Sequence, residues 1–86
     1  MFAEIAFISQ ALVAALAEAD ALVRGGNFGP DLVDVMRHAR EVGAMLDEAV
    51  KRAGSALDAA TRDMATKLTA AVESLEKQVP GNGPLH

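Results

Sequence analysis

The chain has 86 residues and a mass of 8.9 kDa, enough for one small domain, since domains seldom fall below about 50 residues and typically run to about 100–150. Hydrophobic residues are 51% of it and aromatics only 3%, with 18 alanines, while charged residues are 23% and the formal net charge is −4. This balance excludes a disordered acidic tail and a nucleic-acid binder working through bulk positive charge, and the lack of cysteine excludes a disulfide scaffold, a thiolate metal site and a Cys nucleophile.

The opening stretch, MFAEIAFISQALVAALA, is the only one that could act as a targeting signal or span. Its sole early charge is Glu4, whereas a secretory signal carries a basic leading region. Glu4, Ser9, Gln10, Glu18 and Asp20 interrupt the roughly 20 apolar residues that a crossing helix needs. The expectation is a soluble chain, with the cytoplasm as its compartment. The first helix, over 2–24, carries Phe2, Ile5, Phe7, Ile8, Leu12, Val13, Leu16 and Leu22, with Val23 and alanines filling most gaps, so that apolar residues wrap nearly all round it. Such a helix is normally buried on every side. Two neighbours from the same chain cover only part of its circumference, so these eight residues form the expected interface with another chain.

Gly25-Gly26-Asn27-Phe28-Gly29-Pro30 ends that helix and starts the next. Gly25 is the expected left-handed closing residue, with Arg24 at the negative dipole end. Pro30 suits the first helical position, Gly29 the N-cap, and Phe28 is spaced to staple onto Val33. The second helix, over 31–53, places Leu32, Val35, Met36, Ala39, Val42, Gly43, Leu46, Ala49, Val50 and Ala53 at helical spacing.

A weaker boundary lies at Gly54-Ser55, where Ser55 followed by Asp58 matches a capping box. One glycine inside a helix costs only about 1 kcal/mol, so a long helical hairpin is the alternative. Length favours the break, because an unbroken helix of about 73 Å would outreach a partner of about 35 Å. The third helix, over 56–79, repeats Leu57, Thr61, Met64, Leu68, Ala71, Leu75 and Val79, close to a coiled-coil seam. Pro80-Gly81-Asn82-Gly83-Pro84-Leu85-His86 is then a C-terminal tail. The fold expected is all-α: a three-helix, up-down-up bundle over 1–79, completed by oligomerisation. Acid-before-base pairs four apart, Asp47–Lys51, Glu48–Arg52, Asp58–Arg62, Asp63–Lys67 and Glu73–Lys77, mark the exposed faces.

Candidate chemistry is thin. Asp34, His38 and Glu41 share one face of the second helix, but bundle metal sites draw inward-pointing ligands from several helices, so this trio reads as a solvated stripe. The glycine loop before the second helix lacks the Lys and Ser/Thr of a P-loop, offering Pro30 and Asp31 instead. No serine is ordered with His and Asp as a nucleophile. No enzyme activity, cofactor or metal is expected. Nucleic acid binding would need oligomerisation to align Arg37, Arg40, Lys51 and Arg52, and is not expected. Met36 and Met64 suit core gap-filling.

The leading functional expectation is a non-enzymatic protein–protein interaction module, a homo-oligomer or a partner of another helical protein, associating through its first helix. A peripheral membrane binder using the same helix is an alternative, although such helices carry Lys and Arg on the polar side. A third comes from a likeness: the run from Val35 to Gly43, continued through Thr66, Leu68, Leu75 and Val79 to Pro80, resembles small phage-encoded helical proteins that sequester cyclic nucleotides. It covers scattered positions over half the chain and not the first helix, so it carries over no site residue; it implies a ligand held between subunits.

Overall fold

The computed structural model describes residues 2–78, without the side chain of Phe2. Three helices, α1 (Phe2–Arg24), α2 (Pro30–Ala53) and α3 (Ala59–Gln78), form a three-helix bundle, with a 3₁₀ turn at Gly54–Ala56. Val79, expected as the last turn of the third helix, and the tail at 80–86 lie outside the described residues. α1 and α3 run parallel and α2 runs antiparallel to both: the first turn of α1 meets the last turn of α2 through Glu4 and Arg52, and Arg40 early in α2 meets Glu76 late in α3.

The first connection closes one residue later than the sequence suggests. Gly26, not Gly25, has the positive φ of 74°. Its N–H donates to the Val23 carbonyl at 3.1 Å and the Asn27 N–H to the Leu22 carbonyl at 2.9 Å, the paired bonds of a Schellman motif with Gly26 just past the cap. Gly29 is the N-cap of α2 and Pro30 opens it, with Asp31 in the first turn. Phe28 and Val33, expected to pack as a staple, are both exposed.

The second connection corrects the cap. Gly54 adopts φ 57° and ψ −134°, and its N–H still closes on the Val50 carbonyl. The chain then makes one 3₁₀ turn, so Ser55 lies too early to cap α3. Asp58 does so instead: its Oδ1 accepts the Thr61 N–H at 3.3 Å. Arg62 of α3 turns back and donates to the Gly54 and Leu57 carbonyls, joining the Leu57 N–H that the Gly54 carbonyl already accepts at 3.3 Å. Asp58 and Arg62 are thus both engaged in the turn rather than with each other.

The core is built from Ile5, Ile8, Leu12, Ala15, Leu16 and Ala19 of α1, the stripe from Leu32 to Ala53 of α2, Leu57 of the turn, and Ala65, Val72 and Leu75 of α3. α2 matches its expected stripe, with Val35 and Val50 at the margin. α3 is rotated relative to expectation. Ala65 and Val72 point inward, whereas Leu68 and Ala71 are half-buried and Met64 is 38% exposed. α3 lies more closely on α2 than on α1, so its inward face follows 61-65-68-72-75, and Met64 borders a groove between α1 and α3 instead of filling the core.

Candidate functional site

The apolar set of α1 divides into two seams on opposite sides of the helix. The inner one runs Ile5, Ile8, Leu12, Ala15, Ala19 and Leu22, at steps of 3-4-3-4-3, and is buried or half-buried against the chain's own α2 and α3. The outer one runs Ala3, Phe7, Gln10, Ala14, Ala17 and Ala21, at steps of 4-3-4-3-4, and every member is exposed. Alternating three- and four-residue steps are the spacing of a coiled-coil contact.

Against the expected interface, Ile5, Ile8, Leu12 and Leu16 are therefore corrected to the internal core, and Leu22 is half-buried beside it. Two neighbouring helices shield more of α1 than its all-round apolarity suggests, because the large aliphatic residues Ile5, Ile8, Leu12 and Leu16 cluster on the side that those helices cover. Phe7 at 76% and Val13 at 50% stay exposed. The Phe2 side chain lies outside the described residues. Sequence reasoning passed over Ala3, Ala6, Ala14, Ala17 and Ala21, all of which are exposed on α1; the regular steps between most of them were the available signal.

Few charges interrupt this surface. Glu4 accepts from Arg52 at 3.1 Å and Asp20 from Arg24 at 2.7 Å, both at the margins of the outer seam. Glu18 makes no ion pair among the described residues. By length and composition, Ala3–Arg24 is also apolar enough to cross a membrane, contrary to the interrupted span inferred from its polar residues.

Beside the seam, the α1/α3 groove opens into two apolar cavities. One of about 400 Å³ lies between Ile5, Ala6, Ala56, Thr61 and Met64, with Asp58 at its edge. The other, of about 480 Å³, is lined by Val13, Leu16, Ala17, Leu68, Ala71 and Leu75, with Asp20 and Ser74 among its polar residues. A third, of about 550 Å³, follows the 26–31 loop and includes Asp31. Each of these three carries an aspartate and no Lys or Arg in its lining, an electrostatic setting that opposes a phosphate group.

The polar groups are arranged for structure. Among the described residues no group of three or more His, Asp or Glu is placed to hold a metal, and Asp34 pairs with Arg37 at 3.5 Å. Arg40, Lys51 and Arg52, needed for any basic patch, pair with Glu76, Asp47 and Glu4. Asp63–Lys67 forms as expected, Glu73 and Lys77 make no ion pair among the described residues, and Arg52 bypasses Glu48 for Glu4. The Thr66 and Thr69 hydroxyls donate to carbonyls of their own helix. Hydrogen bonding from the Thr61 side chain holds the Asp58 carboxyl below its ordinary value, with desolvation opposing and the Thr61 N–H adding. Lys51 is raised, first by its hydrogen bond to Asp47 and then by the charges of Asp47 and Glu48. Both shifts favour the charged form, the reverse of what poises a general acid or base near neutrality. Comparison with protein-family models, curated proteins and solved structures gives no match for this chain.

Proposed function

We propose that the chain is a non-enzymatic assembly module that self-associates through the outward face of α1, with the cytoplasm as its compartment. The observation that carries this reading is the outer seam from Ala3 to Ala21, exposed along its length, with Phe7 standing 76% in solvent. Covering a large apolar side chain of this kind is worth about 1.5–3 kcal/mol, and alanines at the remaining positions let a second helix approach closely. Among the described residues, the groove linings carry an aspartate and no Lys or Arg, which favours an apolar contact over a cationic pocket.

Light scattering at micromolar concentration tests it. More than one chain per particle is expected, and Phe7→Glu should return the particle to a single chain with unchanged helix content. A particle of one chain at every concentration overturns the proposal.

The length and apolarity of Ala3–Arg24 favour a second reading, attachment to a membrane surface through the same face. Glu4, Glu18 and Asp20 work against it, since interfacial helices carry Lys and Arg beside the apolar face. Flotation with anionic vesicles of a chain that is monomeric in solution would favour the membrane over self-association.

A further inference from the structure

We propose that the occupant of the outer seam is α1 of a second copy in antiparallel register, related by a twofold axis passing between Gln10 and Ala14. This rests on the reading that α1 self-associates, and adds to it an orientation, a register and a charge contact.

Packing decides the direction. With residue numbers in each layer summing to 24, Ala3 faces Ala21 of the second copy, Phe7 faces Ala17, and Gln10 faces Ala14. Every layer then pairs an alanine with a residue of equal or larger size, and the Phe7 layers lie symmetrically towards the two ends. A parallel pair would instead stack Phe7 on Phe7 and Gln10 on Gln10 near one end and leave only alanines from Ala14 to Ala21. The axes would be wedged apart at the start of α1 and under-filled at its end, and under-filled contacts forfeit dispersion and burial. In the antiparallel pair each Phe7 covers Ala17 at the rim of the 480 Å³ cavity, beside Val13.

Charge gives the same direction. On one flank of the antiparallel pair, Glu4 of one chain lies opposite Glu18 of the other. Two carboxylates alone would repel, but Arg52 is already held at Glu4 at 3.1 Å and keeps 67% of its side chain exposed. A guanidinium has five N–H donors, so Arg52 can take the second carboxylate, and Glu18 brings one that has no ion pair among the described residues. The contact occurs twice by symmetry. A parallel pair sets Val13 rather than a cation near Glu18 of the second copy.

The chain has no cysteine, so introduced thiols report register without background. Chains carrying Ala3→Cys and chains carrying Ala21→Cys are mixed and oxidised; both positions are exposed. Disulfide between the two variants, with little between like chains, is the expected result. Disulfide between like chains only means a parallel pair, and particles of two chains with no disulfide mean a dimer formed elsewhere; either overturns the register while leaving self-association intact. Single chains by light scattering in the same samples overturn the self-association itself. Arg52→Gln, which leaves Glu4 and Glu18 facing each other with no cation between them, should raise the dimer Kd about tenfold, as expected for losing two exposed charge contacts, and an unchanged Kd overturns the charge contact.

Discussion

The Arg52 guanidinium lies 3.1 Å from the Glu4 carboxylate, joining the last turn of α2 to the first turn of α1 across 48 positions of sequence. Glu48 is the sequence-local partner, one helical turn before Arg52, yet the long-range acid takes the bond. Glu4 also sits at the positive end of the α1 dipole, where a carboxylate is favoured. Both side chains are more than half exposed, so solvent and salt screen the pair. A double-mutant cycle with Glu4→Ala and Arg52→Ala should give a coupling of about 0.2–1 kcal/mol that shrinks in high salt. A coupling of several kcal/mol would mean that the pair is far more desolvated than its exposure indicates.

Ser9 is 5% exposed and its Oγ has no hydrogen-bond partner among the described residues. A buried hydroxyl without a partner carries a desolvation penalty of about 1–3 kcal/mol that alanine does not, and alanine is also the better helix former. Ser9→Ala should therefore raise unfolding stability by about 1–2 kcal/mol in denaturant titration. A loss of stability would show that the hydroxyl finds a partner in solution.

Three glycines respond to alanine in opposite directions, for separable reasons. At Gly43, buried in mid-α2, an added Cβ would lie 3.8 Å from Val72 Cγ2, an ordinary contact, so Gly43→Ala should stabilise by about 0.5–1 kcal/mol through helix propensity. At Gly26 and Gly54 the space is open, but φ is 74° and 57°. The left-handed region costs an L-residue about 1–2 kcal/mol, so alanine should destabilise at both positions. Measured side by side, stabilisation at all three would mean that the connections do not need their left-handed residues.

These particulars show which parts of the molecule are legible in its sequence. The Gly25–Pro30 punctuation marks the first connection because three glycines and a proline leave a helix no way through. It does not say which glycine turns left-handed, since Gly25 and Gly26 are equally able and only the closing bonds to Val23 and Leu22 choose. Ser55 and Asp58 compete as caps in the same way, and the 3₁₀ turn decides for Asp58. On α3, alanines interleave with larger residues, so the stripes through Met64 and Ala71 and through Ala65 and Val72 are both helical; the one that faces inward depends on where α2 lies. α1 hides most. Its apolarity all round the axis is visible in the sequence, but the division into an inner seam at Ile5, Ile8 and Leu12 and an outer one at Phe7, Ala14 and Ala21 exists only once two other helices have taken a side.

The cap at Asp58 gives the bundle a dependence on pH whose sign follows from its hydrogen bonds. Donation from Thr61 stabilises the ionised carboxylate, so the folded-state value lies below the ordinary 3.8. A group with a lowered value binds its proton more weakly in the folded chain than in the unfolded one. Its stabilisation is therefore fully present well above 3.8 and is lost as pH falls through the lower, folded value. Asparagine at the same position keeps a capping oxygen but cannot titrate. The stability of the natural chain relative to Asp58→Asn should thus be constant from pH 7 to about pH 5 and should fall as acid is added below that. Asp58→Ala, which removes the oxygen itself, should be less stable than either at neutral pH. Thermal unfolding of the three proteins across this range makes the comparison. A gap between Asp58 and Asp58→Asn that widened on acidification in favour of the natural chain would require the carboxyl to be stabilised in its protonated form, against the direction set by Thr61.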